Sequence, residues 1–467
     1  MSQKALYNQI IVSVLFVVLA VIMFCSIYNV FDKKDSVDIL IENATILTLN
    51  KNSEIIYVGW IAIKGEEIID IGEGENNYKS KNIIDANGKV VMPGLVNTHT
   101  HVAMAPFRGI DDISKLSQWL LNINKYEKVL TAEDVYWSAL FGEMEMIKSG
   151  TTTFNDMYFF EESIARSVQK TGMRAVVDIP FNFENDRAEI DDDFLSKFEN
   201  ISTINFSITP NPLVNFSEDQ LKEVKRIADE NNLIIHIHIG EDWQERGLFI
   251  DRYGRAPIEM LSDAGILENK IVLAHAVNFS PEEIDSLASN ENVGISFNPK
   301  SNYKLLGQTA SVQTMLNKGL VVGIGTDGVG SSNSLDMFDQ VNFIAFTSRE
   351  CLSKKEYCEN ESGISPERII RMATIDGAKT LGLEKKIGSI EKGKRADLIL
   401  IDFERLGLVP SYDVYASLVY NTDGSDITDS IINGKIVMED RIIKGVDEND
   451  VINQINKIVE KINNLKD

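Results

Sequence analysis

The central part of the chain alternates short apolar runs with longer segments of helical periodicity. The runs are rich in β-branched residues and carry little internal alternation, a pattern typical of strands buried on both faces. Each run is followed by a helical or capped segment. They lie at 91–98, 151–155, 174–178, 204–209, 233–238, 271–275, 293–297 and 320–326. Eight strand–helix units in series predict an α/β fold, a closed (β/α)8 barrel of the TIM type.

The two ends of the chain have a different pattern. Residues 37–72 alternate apolar and polar positions between turn signals, which predicts a small antiparallel sheet. A similar alternation returns at 396–403 and 429–443, where Asn433-Gly434 is a strong hairpin signal. We therefore predict one small β-sandwich domain built from both chain ends. The predicted division is 1–35 for an anchor and linker, 36–92 and 393–446 for the small β domain, 93–392 for the barrel and 447–467 for a C-terminal helix.

A predominantly apolar stretch without a charge runs from Ile10 to Phe31. It is long enough to cross a bilayer as a helix, which predicts an N-terminal transmembrane anchor and a single-pass membrane protein. A cleaved signal peptide would have a shorter apolar run, a lipidated Cys25 would follow a residue smaller than Phe24, and a core helix would have a polar face. We expect the barrel on the extracytoplasmic side, although the basic residues after the run favour the opposite orientation.

Composition narrows the range of partners. The formal net charge is -24, with 70 acidic residues against 46 basic ones. Such a surface repels phosphate backbones, and no basic patch interrupts it, so nucleic acid is not an expected partner. The three cysteines, Cys25, Cys351 and Cys358, form no C-x-x-C pair and no disulfide framework. Whether Cys351 and Cys358 are free or bridged stays open.

All five histidines of the chain lie at the ends of predicted strands. His99 and His101 stand two apart at the end of the first run, so a strand places both imidazoles on one face. Two convergent imidazoles at the carboxyl end of a barrel strand indicate a metal site. His236 and His238 share a face of the fifth strand in the same way. His238, nearer the loop, is the better ligand candidate, whereas His236, one layer deeper, is predicted to be a hydrogen-bonded core residue, with ligation as the alternative.

Three further polar residues end the same set of strands. Glu241 follows His238 by three residues and suits a general acid or base, the alternative being a solvated loop carboxylate. His275 ends the sixth run and Asp327 follows the eighth. Asp327 alone could equally be a helix cap. Together with the histidines, however, these groups meet at the end of the barrel where this fold places its catalytic residues.

Several motifs resemble the amidohydrolase superfamily, most closely the methylthioadenosine/S-adenosylhomocysteine deaminases. They are VMPGLVNTHTH, HIHIGE, LAH and GTDGVGSSNSLDMF, supported by PFRGIDDISKLSQWL, GTTTFNDMYF and GSIEKGKRADLILID. The resemblance extends from residue 37 to about residue 445. Guanine-type deaminases and triazine hydrolases share much the same metal motif, so the resemblance specifies the superfamily more closely than the substrate.

The resemblance implies one divalent metal, zinc in most members, with iron or manganese as alternatives. No carboxylated lysine is expected, because the candidate fourth strand, ITPNP, ends without a lysine. Asp327 and His275 would take or position the proton of the attacking water. Glu241 would protonate the ring nitrogen beside the carbon that bears the amino group, and ammonia would leave. The implied metal ligands are His99, His101, His238 and Asp327.

The resemblance also implies substrate contacts. Glu127 would hold ribose hydroxyls and Arg187 would reach a carboxylate on the substrate's tail. Asn211 stands where the family commonly has a histidine that faces the purine; an asparagine still donates a hydrogen bond, with a different reach. Glu241 and His275 are predicted to contact the substrate as well.

The sequence therefore predicts zinc-dependent hydrolytic deamination of an aminopurine nucleoside of the methylthioadenosine, S-adenosylhomocysteine or adenosine type. A guanine-, pterin- or triazine-type hydrolase is the alternative, and a non-catalytic, membrane-anchored binding protein is a further one. The predicted partners are a small heterocyclic substrate and the membrane. A homo-oligomer stays open.

Overall fold

The computed structural model describes residues Lys4, Tyr7, 13–18, Met23, 35–184, 187–349 and 363–465. Among these residues, none of the helices combines the length and the apolar character that crossing a membrane requires. A span needs about 20 consecutive apolar helical residues. The predicted transmembrane anchor over 10–31, and the membrane localisation and membrane partner that depended on it, are therefore corrected. Most of that range, and all three cysteines, lie outside the described residues.

Eight parallel strands close into a barrel, so the predicted (β/α)8 architecture is confirmed. Their side chains are almost entirely buried, because helices cover the outside and side chains fill the interior. Numbered in chain order, the barrel strands are β1 (Leu95–Thr100), β2 (Thr151–Asp156), β3 (Arg174–Asp178), β4 (Ile204–Ile208), β5 (Ile234–Ile239), β6 (Ile271–His275), β7 (Val293–Phe297) and β8 (Val321–Ile324).

The first predicted run, 91–98, is divided between two sheets. Lys89–Pro93 belongs to an outer sheet, and β1 begins at Leu95. Gly94 lies at the change: a Cβ there would come within 2.1 Å of the Thr152 side chain. The apolar run continues through this point because both strands are buried, so the pattern alone does not reveal where the chain leaves one sheet for the other.

Helices follow most barrel strands and several begin with strong caps. Thr131, Ser217 and Ser280 each form a capping box with the third residue of the helix. The α-helices span Leu116–Glu127, Ala132–Lys148, Glu161–Thr171, Asp192–Phe198, Glu218–Asn231, Trp243–Tyr253, Pro257–Asp263, Pro281–Leu287, Pro299–Leu306, Val312–Asn317, Val329–Ser332, Met337–Thr347, Pro366–Met372, Ile375–Thr380, Val414–Tyr420 and Glu448–Asn463. Short 3-10 helices lie at Val102–Phe107, Leu213–Asn215, Ile266–Glu268 and Gly424–Asp426.

Both ends of the chain contribute to one nine-stranded outer sheet. The two halves join where Leu398–Asp402 pairs antiparallel with Lys89–Pro93. The Asn433-Gly434 turn has positive φ at both residues, 52° and 74°, as a two-residue hairpin requires. The domain boundaries stay a prediction. In order across the sheet the strands are Ile442–Ile443, Lys435–Glu439, Ile427–Ile432, Leu398–Asp402, Lys89–Pro93, Ile39–Leu47, Ile55–Lys64 and Glu67–Glu73, with Asn82–Asp85 beside Ile39–Leu47.

Two small pairs of strands lie apart from the barrel and the outer sheet. Asp35–Ser36 pairs in parallel with Tyr78–Lys79. Phe181–Glu184 pairs antiparallel with Arg187–Ile190, and this hairpin follows β3 at the carboxyl end of the barrel.

Candidate metal centre and active site

Three imidazoles and one carboxylate converge at the carboxyl end of the barrel. His99 lies near the end of β1, His101 directly after it, and His238 near the end of β5. The Nε2 atoms of His238 and His99 are 3.2 Å apart. Asp327, which follows β8, places its Oδ1 atom 3.5 Å from Nε2 of His99 and 3.2 Å from Nε2 of His101.

The other ring nitrogen of each imidazole faces an acceptor. Nδ1 of His101 donates to the backbone carbonyl of Met157. Nδ1 of His238 lies 3.2 Å from Oδ1 of Asn211, and Nδ1 of His99 lies 2.9 Å from Nε2 of His236. With their protons used in these bonds, the three Nε2 atoms present lone pairs to one another. This is the arrangement in which histidines bind metal ions.

Asp327 is held by its other oxygen. Its Oδ2 atom accepts hydrogen bonds from the hydroxyls of Ser301 at 2.5 Å and Ser331 at 2.8 Å. The residue itself adopts a left-handed backbone conformation, with φ of 58°, an uncommon geometry for a residue other than glycine that is often found at functional sites. The remaining oxygen is thereby directed at the imidazoles.

These four donors fit a divalent metal. Ligand atoms about 2.0–2.1 Å from a tetrahedral metal lie about 3.3 Å from one another, and the separations above are 3.2 and 3.5 Å. Three imidazole nitrogens and a carboxylate oxygen are ligands that zinc, iron and manganese accept.

Glu241 and His275 stand beside this cluster. A carboxylate oxygen of Glu241 lies 3.6 Å from Nδ1 of His275, and both residues, with Asp327, bring side-chain ligand atoms within 4.8 Å of one another. The side-chain amides of Asn298 and Asn302 donate to Nδ1 of His275 at 3.3 and 2.9 Å. Because Nδ1 accepts, the proton of a neutral His275 is on Nε2.

Burial sets the charge states of these two groups. It raises the pKa of Glu241 well above its ordinary value, and the neighbouring charge of Asp327 adds to the effect. Burial also lowers the pKa of His275 to about 3. Burial therefore favours the neutral forms of both groups, and the neutral form of Glu241 is a carboxylic acid with a proton to give.

The sequence model of the Amidohydrolase family matches residues 90–437, which include β1 to β8 and every residue of the cluster. The chain belongs to the amidohydrolase family.

Relatives of this amidohydrolase match nearly its whole length. It is 38% identical to the 5'-deoxyadenosine deaminase of Methanobrevibacter smithii over 434 residues, 91% of this chain and 98% of that protein. It is 36% identical to the 5-methylthioadenosine/S-adenosylhomocysteine deaminase of Caldanaerobacter subterraneus over 435 residues, again 91% and 98%. A crystal structure of an adenosine deaminase from Xanthomonas campestris with bound zinc is similar with a TM-score of 0.85 and 26% identity, covering 92% of this chain and 100% of that one.

Of the other residues predicted to contact substrate in this amidohydrolase, Glu127 and Asn211 lie near the metal cluster and Arg187 does not. Glu127 accepts a hydrogen bond from the hydroxyl of Tyr158 at 3.0 Å, and the Tyr158 ring lies 6.2 Å from that of His101, which places Glu127 beside the metal cluster. Burial raises the pKa of Glu127. Asn211 lies against His238. Arg187 is exposed on the hairpin after β3, where its charge lowers the pKa of Glu223. Among the described residues, no contact joins Arg187 to the cluster.

Several residues around the amidohydrolase site escaped the sequence reasoning. Asn298, Ser301 and Asn302 lie in the segment NPKSNY directly after β7. Their position at the carboxyl end of a barrel strand is the signal that could have identified them. Asparagine and serine are common there for other reasons, whereas histidines and carboxylates indicate metal or acid–base chemistry more specifically. Tyr158 follows β2 in the same way. His236 was placed in the core, and its bond to His99 depends on a contact across 137 residues.

Proposed function

We propose that this amidohydrolase hydrolyses the amino group from the purine of an adenosine-type nucleoside, using zinc bound by His99, His101, His238 and Asp327. The observation that carries the proposal is the convergence of those four donors at metal-ligand spacing, with the carboxyl group of Glu241 beside them. The deaminase relatives support the reaction, and the zinc-bound adenosine deaminase structure supports the metal.

Bound by these residues, the metal would lower the pKa of a water molecule in the site and so supply a nucleophile near neutral pH. Asp327 serves this step with Oδ1, the oxygen that its two serine partners leave facing the cluster. His275 is fixed by Asn298 and Asn302, so that its Nε2–H is available to orient the water or the developing oxygen.

Glu241 is the acid of the reaction. It gives its proton to the ring nitrogen next to the carbon that bears the amino group, which makes that carbon more electrophilic. Water adds to the carbon, forming one C–O bond. As it adds, the water gives one proton to Asp327, which passes it to the amino nitrogen, so that the C–N bond breaks and ammonia leaves. The remaining hydroxyl proton returns to Glu241, which restores the acid and leaves the ring with a carbonyl.

Glu127 provides the contact for the sugar. It is half-buried beside the cluster and held through one oxygen by Tyr158, so its second oxygen can accept hydrogen bonds from the ribose hydroxyls. Asn211 is placed to affect the reaction through His238. The candidate substrates are 5'-deoxyadenosine, methylthioadenosine, S-adenosylhomocysteine and adenosine.

Ammonia release from the zinc-loaded protein tests this proposal. We expect release from at least one of the four adenosine nucleosides, with conversion of the amino ring to the corresponding carbonyl ring. Guanine, an aminopterin and an aminotriazine are included in the same panel. Ammonia from one of these and from none of the nucleosides would assign the metal site to another ring, and no ammonia from any compound would contradict a deaminase.

A further inference from the structure

His236 is fully buried in the barrel, between the metal cluster and the interior. The sequence alone suggested a core residue, with metal ligation as the alternative. Its contacts show which group the buried ring bonds to. Its Nε2 atom points to Nδ1 of His99, 2.9 Å away, and the two rings meet edge to face, with centroids 5.0 Å apart. Among the described residues, the side-chain groups spaced to hold a metal do not include His236, and its Nε2 atom faces His99 instead.

The position of His99 decides which ring nitrogen carries its proton. Its Nε2 atom faces His238 and Asp327, and a nitrogen that binds a metal must be unprotonated. The proton of His99 is therefore on Nδ1, and it must go to the nearest acceptor, which is Nε2 of His236. A buried N–H without an acceptor would cost about 1–3 kcal/mol.

His236 then carries its own proton on Nδ1. A backbone hydrogen bond to Asp156, at the end of β2, favours a proton on the ring. The amide of Asn155 lies 3.2 Å from the same nitrogen and donates to the carbonyl of Thr98 at 3.0 Å. His236 is thus in hydrogen-bond contact with β2 on one side of its ring and with His99 on the other.

We propose that His236 is a positioning residue for the metal centre, which holds His99 in the tautomer and ring orientation that bind metal. This inference rests on the proposed metal site. Partners of this kind strengthen metal binding about 10–100-fold. His236 touches neither the substrate nor the metal, so its effect passes entirely through His99.

Two substitutions distinguish a His236 that accepts a hydrogen bond from a His236 that only fills space in the core. His236→Gln keeps a side-chain oxygen that can accept from His99, whereas His236→Leu keeps bulk and removes the acceptor. Zinc affinity is measured by competition with a chromophoric chelator. We expect His236→Leu to raise the Kd about 10–100-fold and His236→Gln to raise it much less. Thr98→Val is the matched control: it removes a buried hydroxyl that bonds Ser296 in the same barrel layer, and its Kd is expected to be unchanged.

Nitrogen-15 NMR of the labelled histidines in the wild-type zinc protein provides a readout independent of folding. It should show His99 protonated at Nδ1. The inference is overturned if His99 is protonated at Nε2, if folded His236→Leu binds zinc as tightly as the wild type, if His236→Gln weakens binding as much as His236→Leu, or if Thr98→Val weakens it equally. A wild-type protein that binds no divalent metal would instead contradict the proposed function before His236 is tested.

Discussion

At the scale of single residues, the proposed reaction depends on Glu241 as the acid that protonates the substrate ring. The glutamine variant Glu241→Gln preserves the size of the side chain and removes the acid. Because Glu241 is not among the proposed metal ligands, we expect kcat to fall about 10²–10⁴-fold, the usual contribution of a positioned acid, while the protein still binds one zinc per chain. Turnover within about tenfold of the wild type, or loss of the metal, would show that Glu241 has another role.

Tyr158 is expected to act on substrate binding through Glu127. In Tyr158→Phe, Glu127 loses the hydrogen bond from the phenol, and an unsatisfied buried group costs about 1–3 kcal/mol. We predict about a tenfold rise in KM for adenosine with little change in kcat, and no such rise for 2',3'-dideoxyadenosine, which lacks the hydroxyls. Tyr136→Phe, on a helix facing Arg166, is the control. Equal effects on both substrates would remove Glu127 from sugar recognition.

The site residues that could be predicted from the sequence are of uncommon types, such as histidine, and lie close together along the chain. His99 and His101 share one strand, so a period of two predicts that they converge. The partners of Asp327 could not be found in this way. Ser301 is 26 residues away and is an ordinary residue type, and its role follows only from the closure of the barrel, which brings the ends of β7 and β8 together.

At the scale of elements, two helices enclose a carboxylic acid. Glu143 in Ala132–Lys148 accepts hydrogen bonds from Ser167 and Thr171 in Glu161–Thr171. Burial raises the pKa of Glu143 from 4.5 to about 8. The folded state therefore binds this proton more tightly than the unfolded state does, so the stability it contributes is complete below about pH 4.5 and is lost as the pH rises towards 8.

Glu143→Gln should remove that dependence. The free energy of unfolding of the wild type is predicted to fall relative to that of the variant between pH 5 and pH 8, by up to about 1.4 kcal/mol per unit of pH. Unfolding in denaturant at pH 5, 6, 7 and 8 measures the difference, and comparing two proteins at each pH cancels the other buried acids. Curves that stay parallel would mean that Glu143 is not protonated in the folded protein.

The elements themselves were largely predictable because strand and helix periods differ. The exception is the first run, where the chain leaves the outer sheet and enters the barrel at Gly94. Burial is equal on both sides of that point, so hydropathy does not mark it. Only the approach of Thr152 explains why a glycine is present there.

At the scale of the whole molecule, one buried ion pair connects the barrel with the outer sheet. Arg174, the first residue of β3, binds both oxygens of Asp397 at 2.7 and 3.1 Å and also contacts Asn433 in the hairpin turn. Both charged side chains are 2% exposed. The pair lies across 223 residues of sequence, so no local pattern predicts it.

Removing Arg174 alone should lower the free energy of unfolding more than removing both Arg174 and Asp397. Arg174→Met leaves Asp397 buried without its cation, and we expect a loss of about 3–5 kcal/mol in the free energy of unfolding. The double variant Arg174→Met/Asp397→Leu should recover most of that loss, because no buried charge is left unpaired. Denaturant unfolding of the three proteins measures the cycle. A double variant less stable than Arg174→Met would show that the pair itself provides the stability.

The sequence patterns at the two ends of the chain, as well as those at its centre, predicted how the chain is arranged. The alternating segments at both termini were recognised as one unit, and they do pair in one sheet. The predicted membrane span was wrong: among the described residues, no helix is both long enough and apolar enough to cross a bilayer.

The central claim is that one metal ion, bound by His99, His101, His238 and Asp327, is required for deamination. Titrating metal-free protein with zinc while measuring ammonia release from 5'-deoxyadenosine, or from the nucleoside that the panel selects, tests it most directly. We predict a rate that rises linearly and levels off at one zinc per chain, and no rise for Asp327→Ala. A metal-free protein that deaminates at the full rate, or a protein that binds one zinc per chain and releases no ammonia, would contradict the account.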